Sequence, residues 1–253
     1  MIEYIKLETY KIFKNKQWIA PLITLILFFG LSFYLNTQHP KENQHFFTYY
    51  YYIYAINNEI MFPISICIFF SSIYLNEYKL STIKLLLGSK FERKYIFLGK
   101  FISGSIIIFL IFLILTIIYM LLAIVFFTGL DEAAIGLTII NVPTLFGRMV
   151  IGFISNMFYL LSIASFVVLL IGFIKKQSIA VLTSLGIIII YFFIPLPDMV
   201  DEYIFLNGRF TYDALTLETL PLDRFIYPIG VSLVTILIFL GLGLLKFDKE
   251  EIL

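Results

Sequence analysis

His39 and His45 are the only imidazoles in this 253-residue chain, and Glu42 lies between them. Histidine and carboxylate could hold zinc, but this spacing is not the i, i+4 pair that a helix presents to a metal, so a surface loop is expected and no metal ligands are assigned. Gly99-Lys100-Phe101 lacks the leading glycine and the hydroxyl of a phosphate-cradling loop, so no nucleotide is expected to bind to this chain by that route. No nucleophile elbow, His-Glu-x-x-His helix or carboxylate pair is present, which argues against catalysis by the chain alone. Cys67 stands alone, so no internal disulfide can form, and it reads as a small apolar core residue.

The polar residues that could act fall into three groups. Asn57, Asn58 and Glu59 stand together in a long apolar stretch. A carboxylate inside hydrocarbon costs about 2.5–3.5 kcal/mol. Either the stretch enters the membrane only near Ile60, or the three residues line an outward cavity and belong to a translocation path. Ser155, Asn156, Ser162 and Ser165 form the second group, suited to bonding one helix to another or to lining the same path. The third is a short two-faced helix, in which Leu80, Ile83 and Leu87 recur at i, i+3 and i+7 while Glu77, Ser81 and Lys84 recur on another face, with Thr82 between them. Gly88 is placed to end it. Ser89-Lys90-Phe91-Glu92 then has the spacing of a capping box that opens a new helix running into span three.

Six long apolar stretches must position these groups: about 18–35, 53–75, 101–127, 149–174, 178–196 and 226–245. Each is of the length needed to cross about 30 Å of hydrocarbon. Backbone amides there have no water to bond, so the stretches must be helical. The fold expected is an all-α integral membrane protein with six transmembrane helices, forming a single domain over residues 1–253. Of 18 basic residues, 14 fall before span one, between spans two and three, between spans four and five, or after span six. Only Lys41, Arg148, Arg209 and Arg224 fall on the other side, so the positive-inside rule puts both termini in the cytoplasm. A net charge of +1 conceals this segregation and gives no sign of a nucleic-acid partner, whereas the inner basic clusters suit anionic membrane lipids.

Residues 1–17 read as an interfacial helix, with Ile2, Ile5, Ile12 and Phe13 near one face and Glu8, Lys11 and Lys14 directed elsewhere. Trp18 suits the water boundary, and Pro21 falls in the first turn of span one, where a missing amide costs least. The tyrosine-rich run from Tyr49 to Tyr54 reads as an aromatic belt. Gly99, Ser103 and Gly104 suggest close helix packing where span three begins.

This arrangement resembles the ABC-2 type transporter permeases. These have an interfacial N-terminal helix, six spans with both ends inside, and a cytoplasmic coupling helix between spans two and three. Glu77, then Ser81-Thr82-Ile83-Lys84-Leu85-Leu86-Leu87, then Arg93-Lys94 and Gly99-Lys100 follow the family's loop pattern, with Ser81 in place of its usual glycine. The resemblance implies that a cytoplasmic ABC ATPase subunit, two copies per complex, docks on the coupling helix. It also implies that a second six-span permease, identical or paralogous, completes the path. ATP and Mg would be used by the ATPase, and this chain would bind no cofactor. Small bacterial permeases of this type resemble subunits that expel lantibiotics, bacitracin or amphipathic toxic peptides, which implies a multi-pass protein of the bacterial plasma membrane. A non-transporting immunity or scaffold protein that sequesters peptides is the alternative.

Overall fold

A computed structural model describes residues 1–37, 57, 61–79, 92–126, 132–135, 138–174, 176–193, 204 and 223–248. Seven helices occur among them: α1 (Ile2–Lys14), α2 (Ile19–Thr37), α3 (Met61–Lys79), α4 (Arg93–Phe126), α5 (Val142–Phe173), α6 (Gln177–Phe193) and α7 (Asp223–Asp248). A two-stranded antiparallel hairpin, β1 (Glu132–Ile135) and β2 (Thr138–Asn141), precedes α5 and adds to the helical architecture. Its register pairs Glu132 with Asn141 and Ile135 with Thr138.

Three helical stretches are long and apolar enough to cross a membrane: Arg93–Leu122, Phe146–Phe173 and Ile226–Asp248. The α1–α2 pair makes a fourth if it is taken as one bent unit, and α3 and α6 are apolar but shorter. The 17 residues of α6 rise about 26 Å, slightly less than the hydrocarbon thickness.

The boundaries of the apolar stretches shift for physical reasons. The helix expected to open before the apolar stretch at Phe101 and run into span three forms as one piece: α4 starts at Arg93 and has 34 residues, about 51 Å of helix. Its first two turns therefore exceed what the bilayer requires. The expected capping box placed Glu92 inside this helix. Instead Glu92 stands just before it, its carbonyl accepting the Ile96 amide at 3.2 Å, while its carboxylate pairs with Lys94 at 2.7 Å. Likewise α3 continues four residues past the expected end at Leu75, through Glu77 to Lys79.

The N-terminal helix forms as expected and meets α2 at 64°. The corner is closed by two backbone bonds: the Gln17 amide to the Ile12 carbonyl, and the Lys16 amide to the Phe13 carbonyl, each 3.1 Å. This is the left-handed helix end usually occupied by glycine, and here Lys16 adopts φ 55°. Phe13 and Trp18 hold their rings 6.0 Å apart across the turn.

At the centre of the bundle is α3, which packs against α2, α4, α5 and α6. Its residues are buried almost all round, as expected of a helix with no polar face. Phe62 of α3 meets Phe29 of α2 at 5.3 Å and Phe112 of α4 edge-on at 4.8 Å. Phe29 also stacks on Tyr119 at 4.3 Å, so four rings join three helices. Among the described residues, α5 and α7 pack against each other extensively.

Candidate functional site

Four helix ends gather at one end of the bundle. There α4 begins beside the end of α7, where the Arg93 guanidinium donates to the Asp248 carbonyl at 2.9 Å and Phe97 lies 5.6 Å from Phe247. A methyl group added at Gly243 would come within 2.8 Å of the Phe97 ring, so glycine permits that approach. The Tyr74 hydroxyl of α3 donates to the Phe97 carbonyl at 2.7 Å, tying the last turns of α3 to the first turns of α4.

The fourth member is α1, which lies against α4. Tyr4 packs directly on Gly99, where a methyl group would collide with the ring, and the Ser103 hydroxyl donates to the Ile5 carbonyl at 3.1 Å. Gly104 admits Phe70 and Ile73 of α3 on the other side. Gly99, Ser103 and Gly104 thus mediate close packing, as their small size suggested.

The orientation of α1 corrects the sequence reading. Its buried residues are Tyr4, Glu8 and Ile12, whereas Ile2 is 71% exposed and Phe13 is 48% exposed. Glu8, expected to project away from the packed face, is only 2% exposed. Its carboxylate accepts from Lys11 at 2.8 Å and faces the Lys100 ammonium at 3.8 Å, so its charge is balanced where it lies. Lys100 is equally buried and also donates to the Ile73 carbonyl at 3.3 Å. A polarity pattern along one helix cannot reveal a countercharge carried by another.

Of the proposed docking residues, Glu77 lies in the last helical turn of α3. Leu80, Ser81, Thr82, Ile83, Lys84 and Leu87 lie outside the described residues, as do Asn58, Glu59, His39 and His45. Asn57 is buried, and its amide donates to the Ser32 hydroxyl of α2 at 2.8 Å. A double-mutant cycle of Asn57→Ala and Ser32→Ala is expected to give about 0.6 kcal/mol of coupling, the average for hydrogen bonds between membrane helices. Thermal unfolding in detergent measures it, and additive losses would deny the bond any role in stability.

Ser155, Asn156 and Ser162 are at most 3% exposed and so are sealed within α5's packed side. Ser162 and Ser165 were expected either to bond neighbouring helices or to line the path. Their hydroxyls donate one turn back along α5, to the Tyr159 carbonyl at 2.6 Å and the Ser162 carbonyl at 2.7 Å. The Ser155 hydroxyl and both amide atoms of Asn156 are buried and have no hydrogen bond to any of the described residues. The described candidates for a path therefore face packed protein.

Residues 4–195 match the profile of a family described as ABC-2 family transporter protein. No curated protein matches the chain.

Proposed function

Because the chain belongs to the ABC-2 family of transporter membrane proteins, we propose that it gates an exporter of amphipathic peptides or lipid-like molecules. It is a multi-pass protein of the bacterial plasma membrane and the permease component of an ABC transporter, in which hydrolysis belongs to a partner ATPase subunit. In this reading the whole chain is one membrane domain with six crossings, α1 lying on the inner face and both termini in the cytoplasm. Two ATPase copies use ATP and Mg, while this chain holds no cofactor. A second six-span permease, a copy or a paralogue, completes the path, and lipids cover the outer helices.

The ATPase docks on the segment from Glu77 to Leu87. Leu80, Ile83 and Leu87 pack against the membrane domain or into a groove of the ATPase, Glu77 and Lys84 fix polar contacts, and Ser81 and Thr82 lie alongside. The observation that carries this reading is the convergence of α1, α3, α4 and α7 at one end of the bundle. The connection from Lys79 to Arg93 leaves and re-enters there. A push on that connection thus meets four helices braced against one another.

The distribution of polarity favours an amphipathic cargo. Ser155, Asn156 and Ser162 are enclosed, while Ile26, Leu27 and Leu31 of α2 and Leu237, Ile238 and Leu242 of α7 are exposed. Such faces can receive an acyl chain or the apolar side of a helix directly from the bilayer. Inverted vesicles carrying the permease and its ATPase should accumulate a fluorescent amphipathic helical peptide only when ATP is supplied. Equal accumulation of a hydrophilic peptide of the same length would remove the cargo class. Protection of cells that survives an inactive ATPase would make the chain a sequestering scaffold instead.

A further inference from the structure

Among the described residues, three charged side chains are buried: Glu8, Lys100 and Arg148. Two of them face each other. We propose that Lys100, through Glu8, is a positioning residue that passes the movement of the α3–α4 connection to α1, and so links ATP hydrolysis to the opening of the gate. This inference rests on the function proposed above.

The contacts of the ammonium group define the device. Lys100 is on α4, its nitrogen lies 3.8 Å from Glu8 on α1, and it donates at 3.3 Å to the Ile73 carbonyl on α3. The same nitrogen lies 5.9 Å from the centre of the Tyr74 ring, whose hydroxyl returns a bond to Phe97 on α4. One side chain thus ties together three helices. Ile73 stands about two turns before the end of α3, and Lys100 about two turns after the start of α4. The tie therefore sits just above both ends of the connection that the ATPase would push.

Stability alone does not account for this arrangement. Removing both charges from water costs about as much as their attraction returns, and an apolar group of similar shape often stabilises as well or better. What an ion pair adds is direction, because it holds α1 in one register on α4 and breaks at a defined displacement. The Tyr4–Gly99 contact and the Ser103–Ile5 bond, one turn before Glu8 on α1, keep α1 against α4 beside it. The closed corner at Lys16 then makes α2 follow α1. The route runs from the connection through α4 and α1 to α2, whose far half bonds Asn57 through Ser32.

The test compares the parent complex with the double variant Glu8→Leu/Lys100→Met and with Glu8→Gln alone, each assembled with its ATPase in proteoliposomes. The quantity measured is amphipathic peptide moved per ATP hydrolysed. The double variant should unfold at or above the parental temperature and hydrolyse ATP at a near-parental rate. Its transport per ATP should fall about tenfold, within the range of coupling between linked sites. Glu8→Gln, which keeps the shape and removes the charge, should lower the ratio in the same direction. If the double variant does not assemble, the single variant decides. A parental ratio in an assembled variant would overturn the inference while leaving the proposed function standing. A parent complex that hydrolyses ATP without moving peptide would remove the proposed function, and this inference with it.

Discussion

Replacing Leu80 and Ile83 together by aspartate is expected to abolish recruitment of the ATPase while the permease still inserts and folds. Both residues belong to the apolar i, i+3, i+7 set of the segment proposed to dock on the ATPase. Loss of an anchoring side chain at such a contact typically costs 2 kcal/mol or more. Two such losses, about 4 kcal/mol, weaken binding roughly a thousandfold. Copurification of a tagged permease with its ATPase reads the effect directly. Normal expression with parental recovery of the ATPase would assign docking to another surface. A neutral pair of changes on the polar face, Ser81→Ala with Thr82→Ala, should weaken recruitment far less.

The second large effect comes from one chemical change made at two places. Gly99→Ala places a methyl group against the Tyr4 ring, which is fully buried and has no room to withdraw. Overpacking of this kind costs about 1–3 kcal/mol. It should loosen α1 from α4, lower the unfolding temperature in detergent, and expose α1 to protease. Gly186→Ala adds the same methyl group on α6, where none of the described residues lies within 4 Å. There the change should be neutral or stabilising, by up to about 1 kcal/mol from helix propensity. Equal effects at both positions would show that α1 does not press on Gly99.

The two predictions differ in how far the sequence alone foresaw them. The apolar stretches were legible because a lipid-facing helix must be apolar over its whole length, and α2, α4, α5 and α7 fall where those stretches lie. The small residues at the start of α4 were legible for a similar reason, since Gly99, Ser103 and Gly104 make sense only where something approaches closely. Helix ends were less so. The turns from Arg93 to Lys100 carry charge and so drop out of an apolar window, although the capping signal before them already implied a helix running into span three. The hairpin before α5 was missed because its strands are four residues each, too short for alternation to register. The first, Glu132-Ala133-Ala134-Ile135, has only one β-branched residue, although Gly136 ahead of Thr138-Ile139-Ile140 was a turn signal.

The role of Glu8 could not be foreseen from α1 alone. Its partner Lys100 is remote in sequence, and a carboxylate among lysines on a surface helix looks like an ordinary solvated face. Lys100 was visible only as one of the inner basic residues and as part of a resemblance, and the packed helices supply its physical content: it balances Glu8. Ser155 and Asn156 present the opposite case. Their polarity was evident, but their enclosure depends on how α5 packs against α3 and α7.

The central claim is that the segment after α3 lies beneath the bilayer and is the grip of a separate ATPase. Cys67 is the chain's only cysteine and is buried, so Cys67→Ala provides a background into which Ile83→Cys can be introduced. In intact cells this single thiol should resist a membrane-impermeant maleimide. In inverted vesicles it should react, and it should crosslink to the ATPase when that subunit is present. Labelling from outside intact cells, or labelling from the inner face that the ATPase neither blocks nor captures, would contradict the account.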